Sequence, residues 1–245
     1  MREEIVVSGI ILYTSMVGEY DKRLVVLTKE RGKITVFANG SRRVNSSFRA
    51  AAQSFVMGSF TLVAGREAYN LVKADVTEYF TEISADIEKL CYASYFCEFM
   101  SYYTREGDFC VNHLNLLYFT LKALVAGQMK QELIRYIYEL RLMDLEGQGL
   151  HAYHCIKCGS KEVVAFEETK GGVLCKNCAA LTKSAKEISP SLVYTLQFIV
   201  STAFPKLYSF TLSDEVFAEL RFVTNRFRRQ YVDKEFQSLE ILSAL

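Results

Sequence analysis

A chain of 245 residues is long enough for one sizeable domain or for two to three smaller ones. Half of its residues are apolar and 23% are charged, a profile that excludes a disordered chain. The net charge of +1 excludes a polycation, so any attraction for polyanions has to come from local clustering.

The N-terminal MREEIVVSGI has two acids ahead of a strand-like run and no extended apolar core, so it does not read as a signal peptide. Residues 1–80 then read as β structure. The runs IVVSGIILYT, RLVVLT, KITVFA, FVMGSFTLVA and YNLVKADVTEYF are rich in Val, Ile, Thr, Phe and Tyr, and the turn-forming VGEYD, ERG, NGS and GREA divide them. Five strands left as an open sheet would expose two edges, so a small closed barrel is expected. An OB-fold is the first expectation and an SH3-like barrel its competitor.

From residue 81 to 245 the pattern is helical. DIEKLCYASYFCEFMSYYTREG is apolar nearly all round and predicts a buried helix. NHLNLLYFTLKALVAG and QELIRYIYELRLMDLEG repeat apolar residues at three and four and each ends near a glycine. After a cysteine-rich insert at 151–182 come SPSLVYTLQFIVSTAF, with Pro190 in a first turn, and SDEVFAELRFVTNRFRRQYV, with Ser213 as its N-cap. LVYTLQFIVSTAF is too short and too polar to span a bilayer. Together with the cysteine usage this predicts a cytoplasmic protein. The fold class expected is α+β and multidomain: an N-terminal five-stranded OB barrel (1–80), then a helical domain (81–245) interrupted by a small metal lobe (151–182).

The insert carries CIKC at 155–158 and CKNC at 175–178, two pairs separated by 16 residues. Each pair offers two thiolates from one tight turn, and two such knuckles complete a tetrahedral shell of four sulfurs. Cys155, Cys158, Cys175 and Cys178 are therefore the expected ligands of one structural Zn²⁺. A redox CxxC is the weaker reading, because two matched pairs occur and neither opens a helix after a strand. Four thiolates also leave no open position for a catalytic water. His151 and His154 lie beside the first pair and read as loop residues rather than ligands. Cys91, Cys97 and Cys110 read as buried thiols.

Charge is concentrated in the barrel. Between residues 22 and 49 there are eight cations against Glu30 alone, and no acid occurs from Arg31 through Arg66. Lys29, Arg31, Lys33, Arg42, Arg43 and Arg49 are the candidate phosphate contacts, with Arg42 and Arg43 foremost. Phe37, Phe48 and Phe55 are interleaved with them, Phe37 being assigned to the core. A positive groove with aromatic faces is how OB barrels hold single strands. A second basic group, Arg221, Arg226, Arg228 and Arg229, sits on the last long helix, whose C-terminus favours cations in any case. The sequence has no GxxxxGK[ST], GxSxG or HExxH, and no catalytic residues are assigned.

VGEYDKRLVVLTKERGKITVFANGSRR resembles the N-terminal signature of the RecO DNA-repair family. ELRLMDLEGQGLHAYHCIKCG with GGVLCKNC resembles the approach to that family's zinc lobe, and RRQYVDKEFQSLEIL its terminal helix. The resemblance spans the chain in order. It implies a recombination mediator, not an enzyme, that binds single- and double-stranded DNA and anneals complementary strands. It also implies RecR as partner, single-stranded-DNA-binding protein on the strands, RecA loading as outcome, and a nucleoid-associated place in the cytoplasm. The residues alone also admit an RNA-binding OB and zinc-ribbon protein, a protein-interaction scaffold, or an enzyme using the cysteines.

Overall fold

A computed structural model describes residues 4–244. The N-terminal part is a five-stranded closed barrel: β1 (Glu4–Val17), β2 (Asp21–Thr28), β3 (Gly32–Ala38), β4 (Met57–Ala64) and β5 (Tyr69–Glu78), in the order β1-β2-β3-β5-β4 with β1 returning to pair with β4. All pairings are antiparallel except β3 with β5, which run parallel at Val36↔Tyr69 and Phe37↔Asn70. This is the OB-like arrangement rather than the SH3-like one.

Strand periodicity explains the barrel interior. In β3, Ile34, Val36 and Ala38 alternate inward and join Val7, Ile11, Leu24, Val26, Phe60 and Leu62 in one buried cluster. Each large side chain so buried stabilises the fold by about 1.5–3 kcal/mol. Ile10, Leu12, Val25 and Leu27 have the opposite parity, so they face outward, yet they are buried as well. The helix α1 (Ile87–Tyr103) packs against β1, and the Lys33 ammonium reaches Ser101 near its C-terminus. The outer face of the barrel is thus covered where β1 and β2 are apolar on both sides. It stays open where they turn polar, toward Ser15 and Arg23.

Gly32 fixes the base of the β2–β3 hairpin. Its φ is +64°, and an added Cβ would lie 2.0 Å from the Arg105 carbonyl oxygen. That close approach lets the Lys33 amide donate to the Arg105 carbonyl at 3.0 Å and the Gly107 amide to the Arg31 carbonyl at 2.9 Å.

Asp86 caps α1 by accepting from the Glu88 and Lys89 amides, and the helix is buried nearly all round, as its composition predicts. α2 (Val111–Ala126) follows, ending at Gly127. The last segment returns to this unit: Phe236 sets its ring edge-on against Tyr95 and Phe99 at 5.3 and 5.5 Å, ahead of α7 (Gln237–Ser243). The chain divides into two compact units, Met1–Val125 with Phe236–Leu245, and Ala126–Glu235.

The second unit packs α3 (Gln131–Leu145), α5 (Pro190–Ser201) and α6 (Asp214–Tyr231) against one another. Pro190 stands in the first turn of α5, and the Ser213 hydroxyl caps α6, both as expected. Between α3 and α5 lies a small lobe: β6 (Ala165–Glu167), β7 (Gly172–Leu174) and β8 (Ala185–Glu187) in the order β7-β6-β8, with the short α4 (Lys176–Ala180). No helix among the described residues is long and apolar enough to cross a membrane.

Candidate metal centre and nucleic-acid interface

The lobe brings the two cysteine pairs together. In the first turn the Gly159 amide donates to the Cys155 carbonyl at 2.8 Å, and Gly159 takes a φ of 76°. In the second, Cys175 stands at the N-terminus of α4, and the Ala179 amide donates to its carbonyl at 2.9 Å. The four Sγ atoms all lie within 4.8 Å of one another, and Cys158 Sγ to Cys175 Sγ is 3.5 Å. A tetrahedron with metal–sulfur bonds of about 2.3 Å has sulfurs about 3.8 Å apart. The donor set therefore fits one metal ion without rearranging the turns. Neither His151 nor His154 belongs to this cluster.

Electrostatics point the same way. Burial raises the Cys155 thiol, but hydrogen bonds from the Cys175, Lys157 and Cys158 backbone outweigh it and bring the group down to about 6. Cys178, sharing its proton with Cys158 and Cys175, is pushed up to about 12. Four sulfurs this close cannot all ionise unless a cation offsets their repulsion. The remaining thiols, Cys91, Cys97 and Cys110, are buried as expected, and burial pushes Cys97 well up.

The six candidate phosphate contacts do not form one cluster. Lys29, Arg31 and Lys33 stand at one end of the β2–β3 hairpin, and Arg42, Arg43 and Arg49 lie beyond its other end. A seven-residue strand separates the two ends, roughly 23 Å at about 3.3 Å per residue. Lys29 and Arg31 are exposed, whereas Lys33 is engaged by the Ser101 carbonyl and hydroxyl.

The basic connection between β3 and β4 is exposed at its cations but folded onto the barrel rather than free. Arg42 donates from its backbone to the Tyr20 carbonyl and from Nη1 to the Glu19 carbonyl, each at 2.9 Å. Arg43 lies over the Tyr20 ring, 5.2 Å from its centroid. Lys22 donates to the Ala52 carbonyl at 2.8 Å and to Gln53 Oε1 at 3.0 Å; burial first, and Arg42 second, lower its pKa. Ala52 and Val56 join the barrel core, Phe48 packs against it, and Phe55 is buried.

Phe37 corrects the sequence reading. Its neighbours Val36 and Ala38 point inward, so Phe37 faces out, half-buried. Cross-strand register sets it in a row Ser15–Arg23–Phe37–Asn70 spanning β1, β2, β3 and β5. This is the outer face of strands 2 and 3, the surface with which OB barrels grip oligonucleotides together with the β1–β2 and β4–β5 loops. The first of those loops holds Tyr20 beside Arg42 and Arg43; the second holds the exposed Arg66. Arg23, Tyr20 and Arg66 were not singled out from the sequence. Strand parity, counted from Ile34, would have found Phe37 and its partner Arg23.

Three of the four arginines of the second basic group form ion pairs within their own unit, and Arg229 is exposed. Arg221 pairs with Glu132 at 2.6 Å, Arg226 with Glu168 at 3.5 Å, and Arg228 approaches the buried Glu139 at 3.8 Å.

A family model described as Recombination protein O N terminal matches residues 1–80, and one described as Recombination protein O C terminal matches residues 84–240. The DNA repair protein RecO of Acetivibrio thermocellus is 30% identical over 240 residues, covering 97% of this chain and 96% of its own length. That of Desulforamulus reducens is 30% identical over 240 residues, covering 97% and 93%. That of Desulforudis audaxviator is 35% identical over 190 residues, covering 77% and 76%. With both terminal models matched in order and relatives similar over nearly its whole length, the chain belongs to the RecO family of DNA repair proteins.

Proposed function

We propose that the protein is a non-catalytic recombination mediator that binds single- and double-stranded DNA, anneals complementary strands and, with a RecR partner, helps load RecA onto strands coated by single-stranded-DNA-binding protein. It would act on the nucleoid in the cytoplasm. The observation that carries the DNA-binding part is the outward row of Arg23 and Phe37, flanked by the Tyr20–Arg43 stack and by Arg66. Arginine neutralises phosphate and the aromatic faces take up bases, so a single strand is held open for pairing while its charge is reduced. Arg42, Arg43 and Arg49 are proposed as phosphate contacts on this side. Lys29 and Arg31 would meet phosphates at the far end of the hairpin, and Lys33, committed to Ser101, would add its charge rather than a direct contact. The four cysteines would hold one Zn²⁺ that gives the lobe its shape; no step of strand pairing runs through it.

Anisotropy of a labelled single strand, titrated at several salt concentrations, tests the reading. Seven phosphate contacts, from Arg23, Lys29, Arg31, Arg42, Arg43, Arg49 and Arg66, give a slope of log K on log salt of about −4.9, at about 0.7 per contact. The Arg42→Ala, Arg43→Ala double variant flattens it by about 1.4. An unchanged slope in the variant, or no binding at low salt, refutes the assignment.

A further inference from the structure

A pocket of about 410 Å³ opens where the basic connection rejoins the barrel. Its apolar wall is Phe55, Val56 and Leu90; Tyr79 stands at the rim, 44% exposed, and Ser54 and Ser84 contribute hydroxyls. Among the described residues, neither serine nor the Tyr79 hydroxyl is committed to a hydrogen bond within the protein. Ala50, also on the wall, directly follows Arg49.

The backbone around this pocket is held in an unfavourable shape. Phe55 and Phe80 are the two non-glycine residues with positive φ among those described, at 70° and 49°. Phe55 lines the pocket, and Phe80 sits between two of its lining residues, Tyr79 and Thr81. Bulky side chains rarely adopt this region, and such strain concentrates where a ligand is clamped. The Phe80 ring is accounted for by its edge-on packing with Tyr118 at 6.1 Å. The Phe55 backbone is pinned by its amide donating to the Ile11 carbonyl at 2.7 Å and by the Ile11 amide donating to the Val56 carbonyl at 2.9 Å. A glycine would satisfy both bonds without strain. The ring that stands there instead supplies an aromatic wall to the pocket.

A flat aromatic group with hydrogen-bonding edges, delivered along a cationic segment, fits this chemistry: aromatic faces, free hydroxyls, a volume in the range of about 300–1,000 Å³ typical of small-molecule sites, and Arg49 at the approach. We propose that the pocket takes one unstacked base of a single strand whose phosphates lie on the basic connection, with Tyr79 as its stacking platform. The inference rests on the DNA-binding reading above and assigns it a base-binding subsite away from the row of Arg23 and Phe37.

The test compares an oligothymidylate with an oligomer of equal length in which every sugar is abasic, so that phosphate contacts are kept and bases are lost. Both are titrated against the wild type, Tyr79→Ala and Ser84→Ala. Tyr79→Ala is expected to weaken the thymidylate strand at least about fivefold, the lower range for one stacked base, and to leave the abasic strand unchanged. Ser84→Ala, an exposed substitution, should weaken only the thymidylate strand, by a smaller factor. Equal loss on both strands would overturn the proposal, because Tyr79 would then be acting on something other than a base. Equal wild-type affinity for both strands would overturn it too, while leaving phosphate binding standing. If wild type binds neither strand, the DNA-binding reading fails and the base subsite falls with it.

Discussion

Removing the metal should unfold one lobe and spare the rest. Among the described residues the lobe's own fully buried cluster is Cys155, Ala165, Leu174 and Cys175, with a few half-buried neighbours such as Ile156 and Val163, and two of these four are candidate ligands. A core so small does not hold three strands of three residues each in register without a cross-link. Structural zinc contributes about 10–16 kcal/mol in short zinc-finger peptides. Even a site only a thousandfold saturated is worth about 4 kcal/mol, which corresponds to roughly a thousandfold in the protection of amides that open with the lobe. The amides to follow are those of Ile156, which donates to the Val173 carbonyl, Val164, which donates to Leu174, and Val173, which donates to His151. Elemental analysis should find one ion per chain, and hydrogen exchange after chelation should show these amides losing about three orders of magnitude of protection. Barrel amides such as that of Ile11, bonded to Val56, should keep theirs. Retained protection in the chelated lobe, or a chain purified with no bound metal yet fully protected there, would refute the reasoning.

Two further outcomes follow from the barrel. Gly32→Ala places a methyl group against the Arg105 carbonyl in a backbone region alanine resists, and should destabilise the protein by more than about 2 kcal/mol in chemical denaturation, with an unchanged m-value. Glu78 and Lys122 form a 2.5 Å ion pair, and their hydrogen bond lowers the Glu78 pKa and raises that of Lys122. A carboxylate depressed in the folded state stabilises above its unfolded pKa and ceases to do so as pH falls through its folded pKa. Because both side chains are about a third or more exposed, solvent screening limits the effect to about 0.5 kcal/mol. Glu78→Gln should therefore cost that much at pH 7 and nothing at pH 2, with high salt also erasing the difference.

The strands and helices were legible because each run carries its own period: alternation in KITVFA, spacing of three and four in QELIRYIYELRLM. The cluster of four cysteines that could hold a metal ion was legible because the thiols come as two local pairs and need only one long-range contact to meet. Legibility failed where position depends on which face or which end a residue occupies. Phe37 looks like core beside Ile34 and Val36, but a strand reverses sides at every residue, and the partner of Val36 and Ala38 in the core leaves Phe37 outside. Nor does the chain announce that its last segment returns to α1. Phe236 makes that contact with Tyr95 and Phe99, and the Ser238 hydroxyl donates to Glu98 at 2.8 Å, across more than a hundred residues.

The same geometry changes what the basic residues mean. Counted along the chain, Lys29 through Arg49 are one patch of charge. Paired in a hairpin, Arg31 and Arg42 fall at opposite ends of β3, and the cation set beside the outward Phe37 is Arg23, a residue of β2. Charge that looks contiguous in sequence is thus spread along a barrel face, while Arg42 and Arg43 are drawn back onto the β1–β2 loop by the Glu19 carbonyl and the Tyr20 ring. Both contacts leave guanidinium N–H groups to spare, since one arginine carries five donors. Holding the side chains there in advance would lower the entropy lost on binding a phosphate in the proposed interface. The turn at Gly18–Tyr20, which carries no cation of its own, is therefore as much a part of the proposed interface as the arginines that lie on it.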